Sequence, residues 1–138
     1  MKFKYSEYQD SDGAKIYRPL VPIVFKYKSK FIQTTAIVDS GADYNILPIE
    51  MAGVLEIKLD TKSKKKFHGA GSNSFNVYPS TVKIEHMLRQ GGFRTINWQT
   101  QVYFAESQPA ILLGHSGFLE RFKITLDGMK RELEICVQ

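Results

Sequence analysis

The sequence predicts a mainly β protein: a closed or semi-closed barrel-like sheet with one or two short helices. Three observations carry that prediction. Short runs rich in Val, Ile, Phe, Tyr and Thr recur along the chain, divided by Gly, Pro, Asp and Ser turn signals. Only residues 48–55 and 117–122 look helical, and both segments are short. The length of 138 residues, 43% of them hydrophobic, suits a single domain (1–138) with one core and is too apolar for disorder.

Each element has its own justification. Residues 20–27 are apolar and β-branched, with Pro19 and Pro22 marking a sheet edge or an irregular entry. Lys28-Ser29-Lys30 is a polar turn, and the run 31–38 ends at Asp39-Ser40-Gly41, so a strand delivers a polar loop. Pro48 opens the helical segment 48–55, where a first-turn proline has no hydrogen bond to lose. Residues 67–77 read as a hairpin with a Gly- and Ser-rich tip at 69–74. Residues 81–88 alternate, placing Val82, Ile84 and His86 on one face. Gln90-Gly91-Gly92 turns the chain into 93–98, and 101–105 follows as a further strand. Residues 110–113 are wholly apolar and bounded by Pro109 and Gly114, as in a strand buried on both faces. Asp127-Gly128 then joins 124–126 to 132–137 as a hairpin. That last strand either closes its own sheet or pairs with a second copy. Residues 1–18 form an N-terminal extension, with a hairpin around Ser11-Asp12-Gly13 that shields an edge.

Composition narrows the function classes. No apolar run approaches the roughly 18 to 20 residues of a membrane-spanning helix, so no membrane partner is expected. No continuous apolar segment follows the charges of residues 1–10, and a cytoplasmic location is the expectation. The single Cys136 has no internal disulfide partner. Net charge is +5, and most of the clustering lies in Lys62, Lys64, Lys65 and Lys66. Without helical spacing or an RNA-reading motif, these lysines fit a solvated strand edge better than a phosphate-binding patch, and no nucleic acid is expected as partner.

Several constellations fail as chemistry. His68, His86, His115 and Cys136 show no metal-ligand spacing, so no metal and no cofactor are expected. Gly114-His115-Ser116-Gly117-Phe118 lacks the final glycine of a nucleophile elbow, and no histidine follows Ser116. Gly69-Ala70-Gly71 is too short for a dinucleotide fingerprint and has no long helix after it.

Asp39-Ser40-Gly41-Ala42-Asp43 remains. A strand running into Asp-Ser-Gly holds a carboxylate at its end in a tight turn, a weak signal alone. Its specificity comes from Ile111-Leu112-Leu113-Gly114 and a short helix later in the chain. Together, from about Leu20 to Leu126, these resemble the retropepsin-like (retroviral-type) aspartic protease family. Asp39-Ser40-Gly41-Ala42 matches the family's active-site loop, Leu47 fills an apolar position after it, and residues 67–78 fall where the family has its flap hairpin.

The chemistry has an independent argument. Metal-free peptide hydrolysis needs a base for water and an acid for the leaving nitrogen. Two close carboxylates sharing one proton supply both, because such like charges cannot both ionise. This chain offers one aspartate in a suitable loop, so Asp39 is expected to meet Asp39 of a second copy in a homodimer acting on a polypeptide. The resemblance then implies that Ser40 bonds across to the partner's loop and that Gly41 admits substrate to the backbone. It also implies that Gly69, Ala70 and Gly71 let the flap close. Ala42, Ile46 and Ile111 are candidates for apolar substrate pockets.

One departure stands out. The family commonly has arginine after the apolar-apolar-Gly signature, pairing with the aspartate that corresponds to Asp43, whereas this chain has His115. An Asp43–His115 pair is the expectation, with a helix-capping His115 as the alternative. The pair would raise the histidine pKa, giving stabilisation below about pH 6.5 that fades at higher pH. Two further functional readings remain open from sequence. One is a catalytically silent dimerisation or peptide-binding module of the same fold. The other is a nucleic-acid-binding β-barrel with steeply salt-dependent affinity.

Overall fold

The computed structural model describes residues 1–69 and 73–137. Among these residues fourteen strands make three sheets, and the largest is a nine-stranded sheet curled into a half-barrel. Its centre is the hairpin of β4 (Leu20–Tyr27) and β5 (Lys30–Val38), paired from Leu20 opposite Ile37 to Tyr27 opposite Lys30. Lys28 at φ 54° makes the turn between them. Val21, Ile23 and Phe25 alternate into the core, and Pro22 faces out on the part of β4 that β9 (Ile84–Leu88) does not cover. β9 in turn pairs with β10 (Ile96–Thr100).

On the other side of β5 the order is β12 (Leu112–Leu113), β6 (Ile46–Pro48), β11 (Tyr103–Ala105), β8 (Ser74–Pro79) and β7 (Lys65–His68). β7 and β8 form the hairpin expected at 67–77, starting two residues earlier, with Phe67 opposite Phe75. Because β7 is the sheet's edge, Lys65 and Lys66 sit where charge discourages edge-to-edge pairing. Ala70 and Gly71 of the hairpin tip lie outside the described residues.

Of the two helical expectations, the first needs correction and the second is met in shorter form. Pro48 completes β6 opposite Ala105 instead of opening a helix, and α1 runs only over Glu50–Val54. Strand pairing with β11 claims Pro48 first. The second expected helix is a single 3-10 turn at Leu119–Arg121.

The terminal sheet answers how the last strand is used. β14 (Glu132–Cys136) lies between β1 (Lys2–Lys4) and β13 (Lys123–Asp127), so both of its edges are paired within the chain. It closes its own sheet. In the extension, β2 (Ser6–Gln9) and β3 (Lys15–Arg18) make a separate hairpin, with Asp10 Oδ1 accepting from Asp12 N and Ala14 N in the turn. The core runs between these sheets through Phe25, Leu47, Leu55, Phe104, Leu113 and Phe118. A smaller cluster of Ile46, Val77, Tyr103 and Ala105 lies against the β7–β8 hairpin. Among the described residues no helix is long and apolar enough to cross a membrane.

Candidate active site

Residues 39–45 connect β5 to β6, yet β12 lies between those two strands. β12 runs parallel to β5, with Leu112 opposite Ile37 and Leu113 opposite Val38. Both strands therefore end at the same place, and the connection must arch over the chain leaving β12. Gly114 passes under that arch. A Cβ there would sit 2.5 Å from both Ala42 O and Tyr44 O, so no larger side chain fits without moving main chain.

Main-chain bonds tie the arch down along its length. Asp39 N donates to Leu113 O at 3.0 Å, His115 N to Ala42 O at 2.9 Å, and Ser116 N to Asp43 O at 2.8 Å. Asp39 is half-buried, and its Oδ1 accepts from Gly41 N at 2.8 Å. Ala42 N closes the turn onto Asp39 O at 3.2 Å. Ser40, Gly41 and Asp43 are exposed, and Ala42 is buried. The result is a carboxylate whose direction is set by the backbone rather than by a flexible neighbour.

His115 does not pair with Asp43. Its Nε2 lies 2.7 Å from Ser40 O, and a carbonyl only accepts, so this nitrogen carries the proton. Among the described residues the ion pairs of the chain do not include Asp43. The raised histidine pKa expected from that pair, and its pH dependence, therefore lose their basis. His115 is instead a side-chain clamp on the carbonyl that follows the catalytic candidate.

A cleft of about 1170 Å³ opens beside the arch. Asp39, Gly41, Ala42 and Asp43 line it from the arch, and Lys66, Phe67, His68 and Gly69 line it from the hairpin. Ile37, Ile46 and Leu112 contribute apolar wall. Ile111, expected as a pocket residue, is buried in the main core instead. Successive residues in this extended segment face opposite ways, so Ala110 and Leu112 reach the cleft while Ile111 and Leu113 turn inward.

Three features escaped the sequence. Tyr44, from the arch, stacks on Phe67 of the hairpin with centroids 5.6 Å apart, and Tyr103 packs 4.8 Å and 4.9 Å from the two. Asn45 and His86 are fully buried and joined through side chains at 3.3 Å, with Asn45 Oδ1 also accepting from Gly114 N at 3.0 Å. Arg18, at the end of β3, reaches the cleft from the extension. One signal for His86 was present: a polar residue standing between Ile84 and Leu88 on the core face of an alternating strand. Among the described residues no three His, Cys, Asp or Glu side chains gather closely enough to hold a metal ion.

A protein-family model described as aspartyl protease matches residues 28–116, more than half of the chain. The match spans the arch, the hairpin and the segment through Gly114. No curated protein matches the chain.

Proposed function

Because the chain belongs to the aspartyl protease family, of the retropepsin-like kind, we propose that it is an endopeptidase that cleaves extended polypeptides as a homodimer, one Asp39 from each subunit activating water. The observation that carries this reading is the Asp39 carboxylate itself. It is held at the end of β5 by Gly41 N and lines the cleft of about 1170 Å³.

With Oδ1 accepting from Gly41 N, the Asp39 carboxylate is fixed in direction and shares a proton with the second Asp39. Two carboxylates this close titrate as a pair and hold one proton between them. The ionised member takes a proton from water as it attacks the scissile carbonyl. The protonated member gives its proton to the leaving nitrogen. Ser40 is exposed beside Asp39, and in this reading it bonds across to the second subunit's loop. The β7–β8 hairpin acts as the flap, laying Lys66, Phe67 and His68 along the bound chain. Ile37, Ile46 and Leu112 supply apolar side-chain pockets, while main chain supplies strand-like pairing.

The test is cleavage of a mixed peptide library from pH 4 to 7, with oligomeric state measured alongside. The parent cleaves, and Asp39→Asn, which keeps the shape but cannot share the proton, loses activity by about a thousandfold or more. Adding an excess of the Asp39→Asn variant also suppresses the parent, because mixed dimers hold only one carboxyl group. No cleavage by a chain shown to be dimeric would overturn the enzyme reading in favour of a silent peptide-binding module.

A further inference from the structure

Asn45 and His86 are enclosed completely, and neither touches the cleft. Their hydrogen bonds have a definite direction. His86 Nδ1 lies 2.9 Å from Ile84 O, a pure acceptor, so in the neutral ring Nδ1 carries the proton and Nε2 is bare. Asn45 Nδ2 donates to that bare nitrogen at 3.3 Å. The amide is thereby turned one way only, with Oδ1 toward Gly114 N, which donates to it at 3.0 Å. Three bonds run in one sense, from Gly114 through Asn45 and His86 to Ile84. Such chains polarise one another in a low-dielectric interior.

Gly114 is where this chain meets the arch. Leu113 O just before it receives Asp39 N, and the His115 and Ser116 N–H groups just after it hold Ala42 O and Asp43 O. His115 Nε2 holds Ser40 O. A displacement of Gly114 is therefore passed to these four anchors of the loop that carries Asp39. We propose that Asn45 is a positioning residue for the catalytic loop, and that neutral His86 keeps its amide in the single orientation that accepts from Gly114. The catalytic consequence rests on the aspartic-protease reading, but the hydrogen-bond chain is measurable without any activity.

The alternative orientation is excluded by pairing rules. An imidazolium would point Nε2–H at the Asn45 NH2 group, donor against donor. Rotating the amide relieves that clash but turns NH2 toward Gly114 N–H, again donor against donor. The surroundings hold the ring neutral. Phe25 of β4 meets it edge-on at 4.9 Å, and Trp98 of β10 packs 5.2 Å away. Arg121, in the turn after Phe118, is the charged group bearing on the ring, while Lys26 and Glu85 lie on the opposite face of the β4–β9 pair. Burial above all, opposed by the Ile84 bond and reinforced by Arg121, lowers the His86 pKa to about 4. The orientation is secure at neutral pH and is lost as the pH falls through about 4.

The experiment is NMR of the full chain with labelled histidine and backbone, followed by kinetics of two variants. His86 is expected as the Nδ1–H tautomer with a midpoint near 4, and the Gly114 amide shift is expected to move with the same midpoint. Asn45→Ala is expected to lower kcat about tenfold with KM within about twofold. Asn45→Asp, which keeps an acceptor for Gly114 N, should retain kcat within about threefold while raising the His86 midpoint above its ordinary 6.5. An ordinary His86 midpoint, or a Gly114 amide indifferent to it, would overturn the proposal at its root. A folded Asn45→Ala with unchanged kcat, or, if that variant does not fold, an Asn45→Asp chain whose His86 midpoint does not rise, would overturn it as well. The expected NMR titration in a chain that cleaves nothing would instead count against the protease reading.

Discussion

The arch at 39–45 and the β7–β8 hairpin line the same cleft, but different forces hold them. The arch is fixed by short main-chain bonds and by a buried amide. Among the described residues no buried side-chain polar atom lacks a partner. Beyond the pairing of β8 with β11, the hairpin is held by aromatic faces and by one solvent-side carboxylate: Phe67 against Tyr44 and Tyr103, and Glu106 against Asn76 and Tyr78. Hydrogen bonds in a dry interior are directional and leave few alternatives, whereas aromatic contacts tolerate sliding. In the proposed reading, a site that holds a carboxylate in place and still admits a polypeptide has use for both.

Gly114→Ala tests the rigid half and should have the largest effect. Its Cβ would press on two carbonyl oxygens at 2.5 Å, and neither is a flexible side chain that can step aside. A stability loss of about 3 kcal/mol or more is expected, seen as a melting midpoint lowered by about 10 °C, with cleavage abolished. A variant that melts near the parent would mean that the arch yields, and the contrast between the two regions would fail.

Phe67→Ala tests the adaptable half. Removing one ring from the Tyr44–Phe67–Tyr103 cluster should cost about 1–2 kcal/mol of stability, less than the arch substitution. Its main expression should be kinetic: KM rises about tenfold while kcat changes little, because the hairpin loses its docking contact and the Asp39 loop does not. Loss of kcat at constant KM would show that the cluster positions the catalytic group after all.

What the sequence disclosed follows the same division. Asp39-Ser40-Gly41-Ala42 and the apolar 110–113 segment were legible because turn chemistry and hydrophobic runs are local signals. The facing of 110–113 was not. A run that is apolar at every position has no alternation to read, and so Ile111 stood in for Leu112 as a cleft residue. The partner of His115 was also out of reach, since proximity of Asp43 in an alignment says nothing of side-chain direction, and the ring reaches back to Ser40 O. Asn45 and His86 lie 41 residues apart, and no local pattern joins them. Pro48 misled because a proline suits both a helix start and a strand end, and pairing with Ala105 decided between them.

The smallest expected effect sharpens the comparison at the hairpin's base. Glu106 accepts from Asn76 Nδ2 at 3.1 Å and Tyr78 Oη at 2.9 Å, and its backbone N donates to Asn76 O at 2.9 Å. The bond from Asn76 first, then that from Tyr78, lowers the Glu106 pKa below its ordinary 4.5. A carboxylate with a depressed pKa contributes its stabilisation above the unfolded value and loses it as the pH falls through the folded one. Its hold on β8 is thus present from about pH 5 upward and fades below pH 4.5. Glu106→Gln keeps an acceptor but no charge, so kcat/KM near neutral pH should drop only on the order of twofold, as for other solvent-side pairs. The acid side carries the sharper signal: protection factors of β8 amides, exchange rates taken relative to the intrinsic rate at each pH, should fall below pH 4.5 in the parent and lose that pH dependence in Glu106→Gln. An unchanged profile would assign the side-chain anchoring of the hairpin to the aromatic cluster alone, beside the main-chain pairing of β8 with β11.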